Sequence, residues 1–274
     1  SASLTEINRL RIARIHEIRG ESPSVKTFVF HDRLCSKAKA GQFIMVWIPR
    51  VDEVPMSLST ISSDGQSSIT VANVGEATNA LHQKKIGDLI GIRGPYGSCF
   101  TLAKGNIMIA GGGTGLSPLA SLTEELARYP ARITFVAGAK TQNELILLDR
   151  LKAILAKIDG NLITCTEDGS HGMKGLATDA SQQLLEESQF DMIYTCGPEE
   201  MMYKMFLLAE RHEAPLQASL ERLMRCAIGI CGSCLIGGFR VCKEGPVFSS
   251  KQLRDVKEEF GSYGRGGPEK TGSL

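Results

Sequence analysis

Between residues 9 and 100 apolar and polar positions alternate in short bursts: RIARIHEIR (11–19), SVKTFVFH (24–31), QFIMVWIP (42–49), SSITVANV (67–74) and DLIGIRGP (88–95). A period of two puts one face of each segment in a core, and the close spacing with glycine-marked turns predicts an antiparallel β-barrel. Past residue 103 the rhythm changes. NIMIAGGGTGL (106–116) reads as strand and glycine turn, SPLASLTEELARY (117–129) as helix, and RITFVAGA (132–139) as strand. The helices LLDRLKAILAKI (147–158), ATDASQQLLEES (177–188) and EEMMYKMFLLAERH (199–212) then alternate with the strands NLITCTED (161–168) and DMIYTCGP (191–198). Such βαβ grammar predicts a doubly wound parallel sheet. The expected layout is a barrel over 1–102, an α/β domain over 103–215, a loop-like cysteine-rich region over 216–250 and a polar tail over 251–274. The end of that tail, GSYGRGGPEKTGSL, is expected to be mobile.

Composition adds bounds. A chain of 274 residues with 42% hydrophobic content can bury two ordinary cores. Lysine plus arginine (31) nearly cancels aspartate plus glutamate (30), so no whole-chain field would gather nucleic acid or anionic membrane. No apolar run approaches the roughly 20 residues of a membrane-spanning helix, and SASLTEINRLRIARI lacks the apolar stretch of a secretory signal, so a cytoplasmic protein is expected.

The eight cysteines are unevenly placed: Cys35, Cys99, Cys165 and Cys196 are scattered, whereas Cys226, Cys231, Cys234 and Cys242 fall within seventeen positions. That asymmetry favours a metal site over a disulfide framework. CxxxxCxxC, with a fourth cysteine after seven intervening residues, is the plant-type [2Fe–2S] spacing. Gly229 and Gly232 let such a loop curl and turn its amides toward sulfur. The competing reading is a structural zinc site, which usually uses paired CxxC knuckles where only one exists here.

Other motifs are weaker alone. Gly111, Gly112, Gly113, Thr114 and Gly115 stand between a predicted strand and a predicted helix, where bare amides approach a pyrophosphate, although Pro118 stands where a dinucleotide fingerprint has its last glycine. A plain tight turn is the bland reading. VPMSLS (54–59) and ANVGEATNAL (72–81) each read as a turn following a strand. Together they could set the Ser57, Ser59 and Thr78 hydroxyls and the Val74, Gly75 and Ala77 amides, with Ala72 and Asn73 beside them, around one phosphate-bearing ligand. Cys196, Gly197 and Pro198 end a parallel strand, where open α/β sheets place ligands, though a small buried residue ending a strand reads the same way. Glu167 and Asp168 end another, where carboxylates could take ribose hydroxyls or simply be solvated. The five histidines show no metal-ligand spacing.

The ordered set VPMSLS, GEAT, RGPYG, AGGGTGLSP, TEDGS, CGPEEMM, SLERLMRCAIGICGSC and VCKEGPVF resembles the electron-transfer subunit of two-subunit dihydroorotate dehydrogenase, a branch of the ferredoxin reductase superfamily, over about residues 9–248. The resemblance implies an FAD-binding barrel, an NAD(H)-binding α/β domain and a C-terminal [2Fe–2S] loop on Cys226, Cys231, Cys234 and Cys242. It also implies an FMN-containing catalytic subunit as partner in pyrimidine biosynthesis, with two copies of each subunit. Pro55, Met56, Ser57 and Leu58 would line FAD. Val54 stands where the family has arginine, and Ala77 where it has glycine.

The implied chemistry is nicotinamide stacking near Cys196, hydride transfer with Ser57 or the Leu58 amide at the flavin, and onward passage of single electrons to the cluster. NADH is preferred through Glu167 and Asp168, while Lys140 keeps NADPH open. The same module could serve a hydrogenase, a sulfide dehydrogenase or a ferredoxin:NADP⁺ transhydrogenase. A cluster-dependent regulatory module without flavin is the reading from a different class.

Overall fold

In the computed structural model, which describes residues 3–262, the first half of the chain closes on itself. Strands β1 (Arg11–Ser22), β2 (Val25–His31), β3 (Phe43–Ile48), β4 (Asp52–Ile61), β5 (Gln66–Ala72) and β6 (Leu89–Tyr96) form a closed barrel in the order β1-β2-β5-β4-β3-β6, with every pairing antiparallel. The alternation works as expected: Ile15, Phe28, Phe30, Ile44, Val46, Ile69, Val71, Ile90 and Ile92 point into one buried core, and closure leaves no exposed edge. Two predicted turns are corrected. VPMSLS lies inside β4, because Val54, Met56 and Leu58 alternate onto the barrel core across the interrupting proline and serines. GEATNAL forms a short helix, α2 (Glu76–His82), with a short helix α1 (Leu4–Asn8) preceding the barrel.

The second half contains β7 (Gly105–Gly112), α3 (Leu116–Leu126), β8 (Ala131–Ala139), α4 (Leu148–Leu155), β9 (Asn161–Thr166), β10 (Met173–Lys174), α5 (Ala177–Glu187), β11 (Met192–Cys196), α6 (Glu199–Arg211) and β12 (Leu216–Ser219). After the short hairpin strands β13 (Leu235–Ile236) and β14 (Phe239–Arg240), β15 (Val247–Ser249) pairs antiparallel with β12 and α7 (Ser250–Asp255) follows. The sheet order is β10-β9-β8-β7-β11-β12-β15. The chain runs outward from β7 to β9 and returns to β11 on the other side of β7, so a crevice opens at the carboxyl ends of β7 and β11.

The region after residue 215 is not simply loop-like. β12 and β15 extend the sheet, and residues 220–246 form an excursion between these paired strands. These strands escape pattern reading because they are four and three residues long. Nor is the chain from 251 onward wholly a polar tail: Leu253, Val256 and Phe260 are buried, with Phe260 edge-on to Tyr203 and Phe206 of α6. The final stretch expected to be mobile lies, but for Gly261 and Ser262, outside the described residues. Among the described residues no helix is long and apolar enough to cross a membrane.

Candidate functional site

A cleft of about 450 Å³ separates barrel from sheet. The barrel supplies Phe43, Pro55, Met56, Ser57, Thr70, Val71, Ala72, Val74 and Thr78; the glycine turn and α3 supply Thr114, Ser117 and Pro118; the 220–246 excursion supplies Leu220, Glu221, Arg222, Met224 and Pro246. Of the residues expected around flavin, Pro55, Met56, Ser57, Ala72, Val74 and Thr78 therefore meet in one wall. Leu58 does not: its side chain is wholly inside the barrel core, and Val54 packs against that core too. Asn73 donates its amide to the Ser24 carbonyl at 2.8 Å.

The phosphate cradle expected from hydroxyls and amides is partly consumed by the protein. Thr78 Oγ1 accepts the Val74 and Gly75 amides, each at 2.9 Å, and so braces the start of α2. Ser59 is fully buried and takes two bonds from Arg150 of α4: Nη1 donates to its hydroxyl at 3.1 Å and Nη2 to its carbonyl at 2.7 Å. Glu124 accepts Arg150 Nε at 3.0 Å, so this arginine ties the flavin-motif strand to the α/β half. Ser117 supplies what the cradle lost. Its hydroxyl is 1% exposed, lines the cleft at the start of α3, and has no hydrogen-bond partner among the described residues. A buried orphan hydroxyl beside helix N-terminal amides fits a polar, anionic ligand group such as the phosphates of a dinucleotide.

At the sheet crevice the glycines work chiefly by omission. A Cβ on Gly115 would lie 2.4 Å from the Cys196 carbonyl, and one on Gly197 would lie 2.9 Å from Gly112 O. The turn of Gly113, Thr114 and Gly115 therefore seats α3 directly on the end of β11, leaving backbone at the surface where Pro198 begins the path into α6. Cys196, expected beside a nicotinamide ring, is buried: its thiol is 2% exposed, donates to Ser219 O at 3.5 Å, and has its pKa pushed up by burial. Glu167 and Asp168 are exposed at the end of β9. The Ser170 hydroxyl and amide bond the Asp168 carboxylate at 2.6 and 2.9 Å and lower its pKa.

The cysteine loop lies next to this cleft. Ala227, Gly229 and Gly232 adopt positive φ, which curls the backbone around the sulfurs. The Ile230 and Cys231 amides donate to Cys226 Sγ at 3.3 and 3.5 Å, and the Cys242 amide donates to Cys234 Sγ at 3.4 Å. Burial opposes ionisation of Cys226, yet the surrounding amides win and bring its pKa to about 6; burial and the adjacent Cys234 thiol push Cys242 up to about 12. Cys226 Sγ thus takes the Cys231 amide and Cys234 Sγ the Cys242 amide, and Cys226 also acts electrostatically on Cys242. Among the described residues no three His, Cys, Asp or Glu side chains are grouped to hold one metal ion. Backbone amides turned toward the cysteine sulfurs suit an iron–sulfur cluster, whose sulfurs accept such bonds. The β13–β14 hairpin separates Cys234 from Cys242, and Arg240 Nη1 holds the loop through Gly229 O at 2.9 Å.

Sequence reading missed the third wall. Residues 220–224 precede Cys226 within SLERLMRCAIGICGSC, and the charged Glu221–Arg222 pair ahead of the cysteines was the signal available there.

Comparison with known proteins agrees with this geometry. Residues 108–205 match the oxidoreductase NAD-binding domain, and residues 221–254 match the iron–sulfur cluster binding domain of dihydroorotate dehydrogenase B. A protein of Methanothermobacter thermautotrophicus named "Probable dihydroorotate dehydrogenase B (NAD(+)), electron transfer subunit" is 44% identical over 265 residues, 96% of this chain and 97% of the relative. The protein of the same name from Methanocaldococcus jannaschii is 43% identical over 256 residues, 93% and 95% of the two chains. A chain in the structure of an NADH-dependent reduced ferredoxin-NADP oxidoreductase superposes with a TM-score of 0.81 at 30% identity, covering 92% of this chain and 94% of that one. With the barrel, the doubly wound sheet and the cysteine loop all inside the matched length, the chain belongs to the electron transfer subunits of dihydroorotate dehydrogenase B, in the ferredoxin reductase-like superfamily.

Proposed function

We propose that this chain carries electrons between NAD(H) and an FMN-containing dihydroorotate dehydrogenase catalytic subunit, holding FAD in the cleft and a [2Fe–2S] cluster on Cys226, Cys231, Cys234 and Cys242. Nicotinamide exchanges hydride, an iron–sulfur cluster exchanges one electron, and a flavin converts between the two, which is the chemistry these groups supply when bound. One observation carries the reading: the excursion that walls the cleft with Leu220, Arg222, Met224 and Pro246 also holds the four cysteines between Met224 and Pro246. The cleft and the cysteine loop therefore share one continuous backbone.

The residues divide the work. Pro55, Met56 and Ser57 give the barrel side of the flavin wall; Ser117 and the start of α3 take phosphate; Gly113, Gly197 and Pro198 offer bare backbone at the crevice to the nicotinamide half, with Gly112 buried beneath them. Glu167 and Asp168 favour a free ribose 2′-hydroxyl and hence NADH. Cys196 packs beneath this surface. Cys231 is exposed, and so are Leu223, Ile230 and Leu235 of the same excursion, apolar side chains suited to meet a catalytic subunit in an assembly with two of each chain. A cytoplasmic location belongs to the same reading, since the thiols must stay reduced. A ferredoxin-NADP oxidoreductase partner is the second reading, favoured by the 0.81 superposition and disfavoured by its 30% identity against 43–44%.

Anaerobic co-purification with its native partner tests the assignment. Flavin bands, a cluster shoulder and an FMN-containing dihydroorotate-oxidising chain are expected. A colourless, zinc-containing protein would overturn it. Cys231→Ser should keep NADH-to-dye activity and abolish partner reduction; equal loss of both contradicts the order of transfer.

A further inference from the structure

The cleft wall carries a buried ion pair that the proposed electron route leaves unused. Arg222 lines the cleft, and its guanidinium meets the Glu199 carboxylate through both oxygens, Nη2 donating to Oε1 at 3.1 Å and Nη1 to Oε2. The two side chains are 5% and 6% exposed. Glu199 is the first residue of α6, directly after Cys196, Gly197 and Pro198, and its Oε1 also accepts the Gly261 amide at 2.9 Å. It does not line the cleft; it stands behind Arg222. The pair thus joins the nicotinamide end of the crevice to the segment leading to Cys226.

Burying two charges costs desolvation on each, and an apolar pair of similar volume is often as stable or more so. Stability alone is therefore a weak reason for charges here. Their position suggests another. A flavin gains negative charge on reduction, so an unneutralised guanidinium on its wall would favour the reduced form, and in a poorly solvated cleft such a charge acts strongly. A carboxylate immediately behind it cancels most of that field.

We propose that Glu199 is a positioning residue that neutralises Arg222 at the cleft wall and so limits the electron affinity of the flavin, keeping it poised between nicotinamide and cluster. This rests on the function proposed above. Spectroelectrochemical titration of the FAD-loaded chain tests it. Glu199→Gln keeps an oxygen to accept from Arg222 and removes the charge; it should raise the equilibrium constant for flavin reduction about tenfold, which for a two-electron couple is about 30 mV. Arg222→Gln should shift it the opposite way, Glu199→Asp should stay close to the parent, and the double Gln variant should return to it.

Opposite signs that cancel in the double variant are not produced by a loosened scaffold. If a single variant does not fold, Glu199→Gln/Arg222→Lys is compared with the double Gln protein and should lie about tenfold above it, because it keeps a cation at position 222 that the double Gln protein lacks. Coincident potentials, or shifts of the same sign, in flavin-loaded proteins overturn this inference alone. Failure of the parent to take up FAD overturns the function on which it rests.

Discussion

Gly115→Ala isolates how the nucleotide crevice is built. Gly115 has φ −61° and ψ −19°, a conformation alanine accepts, so backbone strain plays no part. The obstacle is contact: the new Cβ would sit 2.4 Å from the Cys196 carbonyl carbon and oxygen and 2.5 Å from the Gly197 nitrogen, where real Cβ atoms do not come under 3.0 Å. Backbone cannot rotate aside as a side chain can, so α3 must move off the end of β11. Overpacking of a tight site costs ~1–3 kcal/mol, and an all-backbone clash belongs at the top of that range. The stiffer unfolded chain returns ~0.4–1 kcal/mol, leaving a net loss of roughly 2 kcal/mol. For a chain of this size that lowers Tm by about 4–8 °C. Gly75→Ala is the control: nothing lies within 4 Å of its Cβ, and a change within ~0.5 kcal/mol is expected. Thermal unfolding by circular dichroism, with NADH titrated into both proteins, reads the outcome. A Gly115→Ala protein melting within about 1 °C of the parent and binding NADH equally well would refute this account of the glycine turn.

Ser117→Ala should leave the cofactor-free protein as stable or slightly more so, because it removes a buried unpaired hydroxyl, yet weaken FAD or NADH binding by about 2- to 10-fold, a hydrogen bond's ~0.5–1.5 kcal/mol; calorimetric titration beside a melting curve shows both signs. Arg150→Met strands the buried Ser59 carbonyl and should cost roughly 1–3 kcal/mol, read as a lower urea midpoint at unchanged slope. Asp32 is buried, which alone would raise its pKa, but Arg11 and the Cys35 amide hold it below 3.8. Its ionic contribution is therefore complete above pH 3.8 and is lost as pH falls through the folded value, so the stability gap between parent and Asp32→Asn should narrow in acid. A gap that stays constant from neutral pH to below the folded value would contradict it.

Where apolar periodicity was strong, local pattern and structure agree. The barrel strands, α3 to α6 and the curl around Cys226 follow from residue spacing alone, since a period of two or 3.6 states which face is buried. The VPMSLS stretch of β4 reads as a turn in the sequence because Pro55 and two serines, Ser57 and Ser59, interrupt its alternation, although Val54, Met56 and Leu58 still point inward. β12 and β15 were too short to carry a period, and only their pairing across the cysteine excursion makes them strands. Cys196 was readable as the end of a strand, but not the direction of its sulfur.

The barrel, the doubly wound sheet, the cysteine loop and most of one cleft wall are legible in the residue order, because each depends on residues near one another in the chain. Only tertiary structure decided that Arg150 reaches Ser59, that Glu199 stands behind Arg222, that Ser117 is left without a partner, and that the excursion carrying the cysteines also walls the cleft. Those are meetings of polar groups from distant segments, and which of them lose water together is set by how the chain closes rather than by any local period.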